Sequence, residues 1–376
     1  MQKTVQKKHF SFLTGLFLLL NGFAVLLLLL AYLSVYINPE SFSIIAFFGL
    51  GYPIILGINI LFIVFWAFVK LRYGIISLVF ILLGWNHIGR LVQINSSTEI
   101  DKDLEQVKIL SYNIQNFVKE NTSSTKYIQS FENQQKITEF IVDQKSDIIC
   151  LQEVLYDKED FADFSNQLGK KLNCQNTYTR NYYPNRKNKV DALAIFTKYP
   201  IIYKGYFEHL EKTIGIYCDI LIQTDTVRLY NLHLASIHFK KEEYDFITEI
   251  TKQQDQETFK TNTLKVISKM NVAFIKRGKQ TNIITTHISS SPYPIILCGD
   301  FNDTPSSFAY RELSKNLKDA FVESGKGFGI TYAGENFPAF RIDYILYDPQ
   351  FHSGNFQKHK IAFSDHYPIS YTLAID

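Results

Sequence analysis

The sequence predicts an α/β domain, residues 107–376, carried behind a membrane-spanning helical segment, residues 1–94. Three observations predict it. Long runs without a charged side chain fill the first 94 residues. A polar stretch, NSSTEIDKDLEQ at 95–106, has no apolar period and reads as a linker. Beyond it, short β-type apolar runs alternate with turns and helical segments, the pattern of one mixed α/β domain.

The helical segment comes first. Phe10 to Ile37 holds no charged residue, and its core GLFLLLNGFAVLLLLLAYLSV exceeds the roughly 20 apolar residues that cross a bilayer. A second charge-free run extends from Ser41 to Val69, so a cleaved signal peptide is not expected. The third, Tyr73 to Ile94, is weaker, because Asn86, His87 and Arg90 follow its apolar stretch. The expectation is two to three transmembrane helices, at about 10–37, 42–69 and 73–94.

Charge sets their orientation. Residues 1–94 carry Lys3, Lys7, Lys8, Lys70, Arg72 and Arg90 against one acid, Glu40. The basic residues flank the outer ends of the first two spans, and none lies in the NPES link between them, which places the N-terminus in the cytoplasm. Three spans then put the domain outside, whereas two leave it in the cytoplasm. Trp85 and Tyr73 suit interfaces and Arg90 can snorkel, so the reading taken is three spans and an extracytoplasmic domain. Residues 95–376 hold 33 basic and 35 acidic side chains, without the basic excess of a protein that binds nucleic acid by phosphate neutralisation.

Candidate strands are 107–114, 147–153, 191–199, 215–223, 226–234, 294–301, 341–347 and 369–375. Candidate helices are 131–145, a long one around 244–277, and one after Thr304, an N-cap candidate before Pro305. Cys150, Cys174, Cys218 and Cys298 show neither CxxC nor zinc spacing, and Cys150 and Cys298 sit in apolar strands as buried thiols.

Polar residues close these strands. Asn113 ends the first and Glu153 the second, His233 lies near the end of RLYNLHL, and Asp300 and Asn302 follow IILCG. Asp343 lies in RIDYIL, and Asp365 and His366 precede the last strand. Carboxylates, carboxamides and imidazoles with hardly a lysine among them suit Mg²⁺ or Mn²⁺.

The motifs SYNIQ, LQE, NLHL, GDFND, RIDYIL and SDHYP, in that order, resemble the endonuclease/exonuclease/phosphatase superfamily over essentially the whole domain. That superfamily includes pancreatic-type deoxyribonuclease, abasic-site endonucleases, sphingomyelinases and inositol polyphosphate 5-phosphatases. The resemblance implies a four-layer α/β sandwich, two packed mixed β-sheets flanked by helices, with the site where strand ends converge. It implies a metal set of Glu153, Asn113 and Asp365. It gives Asp300 to the attacking water and Asn302 to the phosphate. His366, oriented by Asp343, would lie beside the scissile phosphate, and His233 would make a second phosphate contact. Abasic-site endonucleases usually carry Tyr where His233 stands, which argues against DNA repair.

Asp191 departs from the small residue expected before ALAIF, and Arg186, Lys187 and Lys189 form a basic loop. His238 and His287 match no motif and read as structural. Held at a bilayer, such a domain points to a metal-dependent phosphoesterase acting on a lipid head group or cell-surface phosphoester. Two alternatives stand beside it: a non-specific nuclease on extracellular nucleic acid, and an inactive membrane-bound binding protein. Against the last, Glu153, Asp300 and His366 are all retained.

Overall fold

The computed structural model describes residues 2–95, 104–117, 131–157, 161–183, 189–237, 239, 241–248, 256–332, 334 and 339–375. Most of the linker, His238, Arg186, Lys187 and the side chain of Lys189 lie outside the described residues.

The N-terminal segment forms α1 (Gln2–Leu33), α2 (Pro39–Phe42), α3 (Ile45–Leu50), α4 (Tyr52–Val69), α5 (Leu71–Leu83) and α6 (Trp85–Gly89), followed by strand β1 (Val92–Ile94). Two stretches, Phe12–Leu33 and Tyr52–Val69, are long and apolar enough to cross a membrane. The third expected span is not one helix. Helix α5 stops after 13 residues at Gly84, which packs under the Tyr32 ring: a Cβ there would lie 2.0 Å from Tyr32 Cζ. Helices α1, α4 and α5 are joined by buried polar side chains. Asn21 donates to Ser77, Ser77 donates to Asn59 (3.1 Å) and Trp66 donates to Asn21 (2.9 Å).

The domain runs β2 (Glu105–Asn113), α7 (Phe131–Asp143), β3 (Ile148–Asp157), α8 (Phe161–Lys171), β4 (Asn176–Asn181), β5 (Lys189–Thr197), β6 (Ile201–His209), β7 (Lys212–Ile222) and β8 (Asp225–His233). It continues through α9 (Lys241–Thr248), α10 (Gln256–Ser289), β9 (Ile295–Asp300), α11 (Phe308–Leu313), β10 (Lys318–Asp319), α12 (Ala320–Ser324), β11 (Lys326–Phe328), β12 (Asp343–Tyr347), β13 (His352–Lys358) and β14 (Ile369–Ile375).

Two six-stranded sheets result, ordered β13-β14-β2-β3-β5-β4 and β10-β12-β9-β8-β7-β6. Each is mixed, with a single parallel pair at its middle, β2/β3 in one and β8/β9 in the other. A parallel pair needs a crossover, and α7 makes the first while α9 and α10 lie in the second. The sheets face each other across a core that includes Ile109, Cys150, Ile195, Cys218, Leu229 and Cys298. Ile137 and Leu168 from α7 and α8 cover one outer face, and Ile284 and Tyr310 from α10 and α11 cover the other. Because strands alternate faces and both faces are covered, β9 reads as the unbroken run IILC.

The structure departs from the sequence expectation in three further places. Of the helix expected around 244–277, the described residues carry α9 to Thr248 and α10 from Gln256, residues 249–255 lie outside them, and α10 continues to Ser289. The helix after β9 is capped by Ser307, whose side chain accepts from Tyr310 N at 3.1 Å, and Thr304 instead lies in the turn before it. Within the two six-stranded sheets the strands absent from the expected set are β4, β6, β10 and β13, which are the four edges, and the paired β1 and β11 are not in that set either. An edge strand is covered on fewer sides and carries polar residues, so its apolar signal is weak.

Candidate active site

Parallel strands point the same way, so the C-terminal ends of β2, β3, β8 and β9 come together at one end of the sandwich. Asn113 closes β2, His233 closes β8 and Asp300 closes β9. Glu153 lies at a register shift between β3 and β5, with a left-handed φ of 55° that turns it out of the ladder. Before Asp300, Gly299 has φ 144°, and a Cβ there would meet the Leu232 carbonyl oxygen at 2.1 Å. Only glycine fits.

All eight residues singled out in the sequence converge on this end. Asn113 Nδ2 donates to Asp300 Oδ2 (3.0 Å) and Glu153 Oε1 (3.3 Å). Asn302, at φ 52°, folds back so that its backbone N–H donates to Asp300 Oδ1 (2.7 Å) and its amide to Asp300 Oδ2 (3.1 Å). His233 Nε2 lies 3.5 Å from Glu153 and 3.6 Å from Asp300. His366 Nδ1 meets Asp343 Oδ2 at 2.9 Å, while its Nε2 faces Asp300 at 3.8 Å and Asp365 at 3.9 Å. Strand pairing sets Asp343 directly opposite Asp300. Ser364 donates to the Asn113 carbonyl (2.8 Å), holding the Asp365–His366 turn against β2.

Three further residues carried no motif. The Tyr182 hydroxyl sits 2.8 Å from His233 Nδ1 and accepts from Glu153 N at 3.1 Å. Thr331 Oγ1 accepts from Asp343 N (3.0 Å). Lys212, half-buried, lies with its Nζ 5.0 Å from the Tyr182 ring centre. Burial lowers its pKa, and the Glu153 and Asp191 carboxylates oppose that shift. His287 lies elsewhere, beside Tyr230.

Burial raises the pKa of Glu153 to about 7, with Asp365 adding to the rise. Asp300 is pushed up to about 7 by burial, an effect His366 opposes and Asp343 reinforces. Burial also raises Asp365. For His366 burial works downward, but the charges of Asp343, Asp300 and Asp365 outweigh it and hold the imidazole well above its usual range. Crowded carboxylates that resist ionisation are what a cation relieves. Asp300, Asp343 and His366 offer ligand atoms within 4.8 Å of one another, and Glu153 and Asp365 add oxygens suited to a hard divalent ion. As oriented, Asn113 presents its NH₂ to the carboxylates, so it bridges them as a donor. Coordination through its oxygen requires the amide to turn over.

A family model, the Endonuclease/Exonuclease/phosphatase family, matches residues 110–366. The chain belongs to this family. A second model, a domain of unknown function, matches residues 14–91. Among solved structures, an endonuclease/exonuclease/phosphatase from Beutenbergia cavernae DSM 12333 shares the fold at a TM-score of 0.50 and 14% identity, over 72% of each chain. An endonuclease/exonuclease/phosphatase family protein from Leptotrichia buccalis C-1013-b is 19% identical, at a TM-score of 0.48, over 70% of this chain and 98% of its own. The human Nocturnin catalytic domain with bound sulfate is 15% identical, at a TM-score of 0.48, over 75% and 97%. No curated protein matches the chain.

Proposed function

We propose that the chain is a membrane-anchored phosphoesterase that hydrolyses a phosphodiester of a lipid head group with the help of Mg²⁺ or Mn²⁺. The observation that carries this reading is the alignment of Asp343, His366 and Asp300 at the sheet ends. Glu153 and Asp365 would hold the ion, which supplies neutralisation of a phosphoryl oxygen. Asp300, kept in place by three hydrogen bonds from Asn113 and Asn302, takes the proton of the attacking water. His366 keeps its Nδ1 toward Asp343, so its Nε2 delivers a proton to the departing oxygen. Two groups whose surroundings set their pKa values apart make an acid and base pair. Asn302, His233 and Lys212 would contact the phosphate.

Membrane attachment is supported by the apolar side chains that α1 and α4 turn outward, such as Phe12, Leu19, Ile54 and Leu61. Ser34, just past α1, donates to the carbonyl of Ser306 in the domain (3.0 Å). That contact ties the domain to the end of α1 opposite the basic residues, which supports an extracytoplasmic domain and, with it, a return crossing through α5 and α6. A lipid substrate is supported by the ribbon in which β1 pairs with β11. There Ile94 and Phe328 are exposed, and Lys326, Lys358 and Lys360 line the adjoining groove.

The test is hydrolysis by the purified full chain with Mg²⁺ or Mn²⁺ on bis(p-nitrophenyl) phosphate, sphingomyelin, phosphatidylinositol, DNA and RNA. EDTA-sensitive turnover fastest on a lipid is expected. Preference for DNA or RNA would overturn the lipid assignment, and no turnover of any ester would make the chain a binding protein. An alkaline phosphatase fused after residue 376 should be active; a bright cytoplasmic fluorescent fusion in its place would reverse the topology.

A further inference from the structure

We propose that the N-terminal helical unit, which matches a domain of unknown function, positions the loop that bears Asp300 and Asn302. This rests on the phosphoesterase reading above. The loop runs from Asp300 to Ser307, between β9 and α11. Although it lies outside both sheets, Phe301, Asp303, Thr304 and Ser306 are all buried. The sandwich covers its first half: Phe301 N donates to the Ile342 carbonyl (2.8 Å), the Phe301 ring lies 4.6 Å from that of Tyr344, and the Tyr344 hydroxyl donates to the Asp303 carbonyl (2.9 Å).

Two further grips hold the Ser306 carbonyl and the Asp303 side chain, and both lead to the helical unit. In the first, the Ser306 carbonyl accepts the hydroxyl of Ser34, and the backbone of Gly49 presses on the same spot. A Cβ at Gly49 would lie 2.3 Å from Ser306 O and 2.4 Å from Ser34 Oγ, so the close approach requires glycine. In the second, Asp303 accepts from Arg277 Nε at 2.9 Å, and Arg277 also donates to the Ala235 carbonyl (2.9 Å), two residues past His233. Arg277 lies on α10, and the helical unit holds α10 there. Phe47 packs edge-on against Phe274 with centroids 5.0 Å apart, and Gly278 lets Asn38 come so near that an added Cβ would be 2.4 Å from its Oδ1. Arg311 on α11 stacks over Tyr36, fixing the far end of the loop.

Ser34, Asn38, Phe47 and Gly49 are therefore positioning residues. They touch no reacting atom, but they set the path of a buried loop whose first residue is Asp300. A displacement of about 1 Å at such a group costs as much as a hundredfold in rate.

The experiment uses the full chain in nanodiscs, with bis(p-nitrophenyl) phosphate and Mn²⁺ as probes and amide hydrogen exchange of residues 300–307 as a second readout. Gly49→Ala should speed exchange in 300–307 and lower kcat between about tenfold and a hundredfold, with KM and the Mn²⁺ requirement little changed. Gly57→Ala, in the same unit but with nothing within 4 Å of the added Cβ, should change neither. If Gly49→Ala does not fold, Ser34→Ala decides, with a smaller change in the same direction. Unaltered loop exchange and kcat in the folded variant would overturn the proposal. Exchange that rises across the whole chain would also overturn it, because that marks general loosening. If the wild-type chain hydrolyses nothing, the phosphoesterase reading fails, while loop exchange still decides whether the helices hold the loop.

Discussion

Asn21, Asn59, Ser77 and Trp66 meet between α1, α4 and α5, all fully buried, and their polar groups answer one another. Asn59, whose oxygen accepts from Ser77, donates its amide NH₂ to the carbonyls of Ala24 and Ile55. At the sheet ends, Glu153, Asp300, Asp343 and Asp365 are packed with two imidazoles, and burial drives Glu153, Asp300 and Asp365 toward protonation. Both regions bury polar side chains. The first set is neutral and complete, whereas the second carries charge that the protein alone does not balance. A self-satisfied polar cluster ties elements together; an over-supplied one is built around something else.

The largest effect that tests this contrast lies in catalysis. His366→Ala and Asp300→Asn should each lower kcat on bis(p-nitrophenyl) phosphate by about a hundredfold or more. The Asp343→Asn/His366→Ala double variant should be scarcely worse than its single parents, because groups acting as a unit are not additive. Near-normal turnover in both single variants would break the assignment.

The next effect is on pH. The carboxyls of Glu153 and Asp300 ordinarily titrate at 4.5 and 3.8, but each is raised to about 7 here. Between those values the folded, cation-free protein keeps protons that the unfolded chain has released, so stability falls as pH rises toward and through about 7. His366, raised as well, acts in the same direction, since its stabilising charge is lost at still higher pH. In EDTA, Tm should drop between pH 5 and pH 8. Saturating Mn²⁺ should abolish the drop by replacing the protons. Glu153→Gln should flatten the EDTA profile and raise the Mn²⁺ needed for half activity by at least about tenfold. A Tm that climbs with pH in EDTA would mean the acids are already balanced within the protein.

The same contrast explains what could be read in the sequence. Strand interiors and strand-end acids were legible, because a doubly covered strand is continuously apolar and a carboxylate at its tip stands out. The eight central strands and all eight proposed site residues follow from that one pattern. Tyr182 and Lys212 did not stand out, since an aromatic or a lysine near a strand boundary is unremarkable until the fold brings it to Glu153. The break at Gly84 was hidden inside an apolar run, and it depends on Tyr32, which is 52 positions away. Ser34 and Ser306 are separated by 272 positions, and nothing local in either marks the contact.

The smallest effect belongs to the helical cluster. In lipid, an interhelical hydrogen bond contributes on average only about 0.6 kcal/mol, because the separated helices find other partners. Asn21→Ala and Asn59→Ala should therefore each cost about 1 kcal/mol of stability in nanodiscs, with a coupling of about 0.6 kcal/mol between them. Ser77 links the two asparagines, so the coupling should vanish in a Ser77→Ala background. No member of the cluster titrates near neutrality, so the losses should be equal at pH 5 and pH 8, unlike those at the sheet ends. A loss that grows with pH would show that these helices and the acid cluster unfold as one cooperative unit, and the two buried polar sets would then have to be treated as coupled.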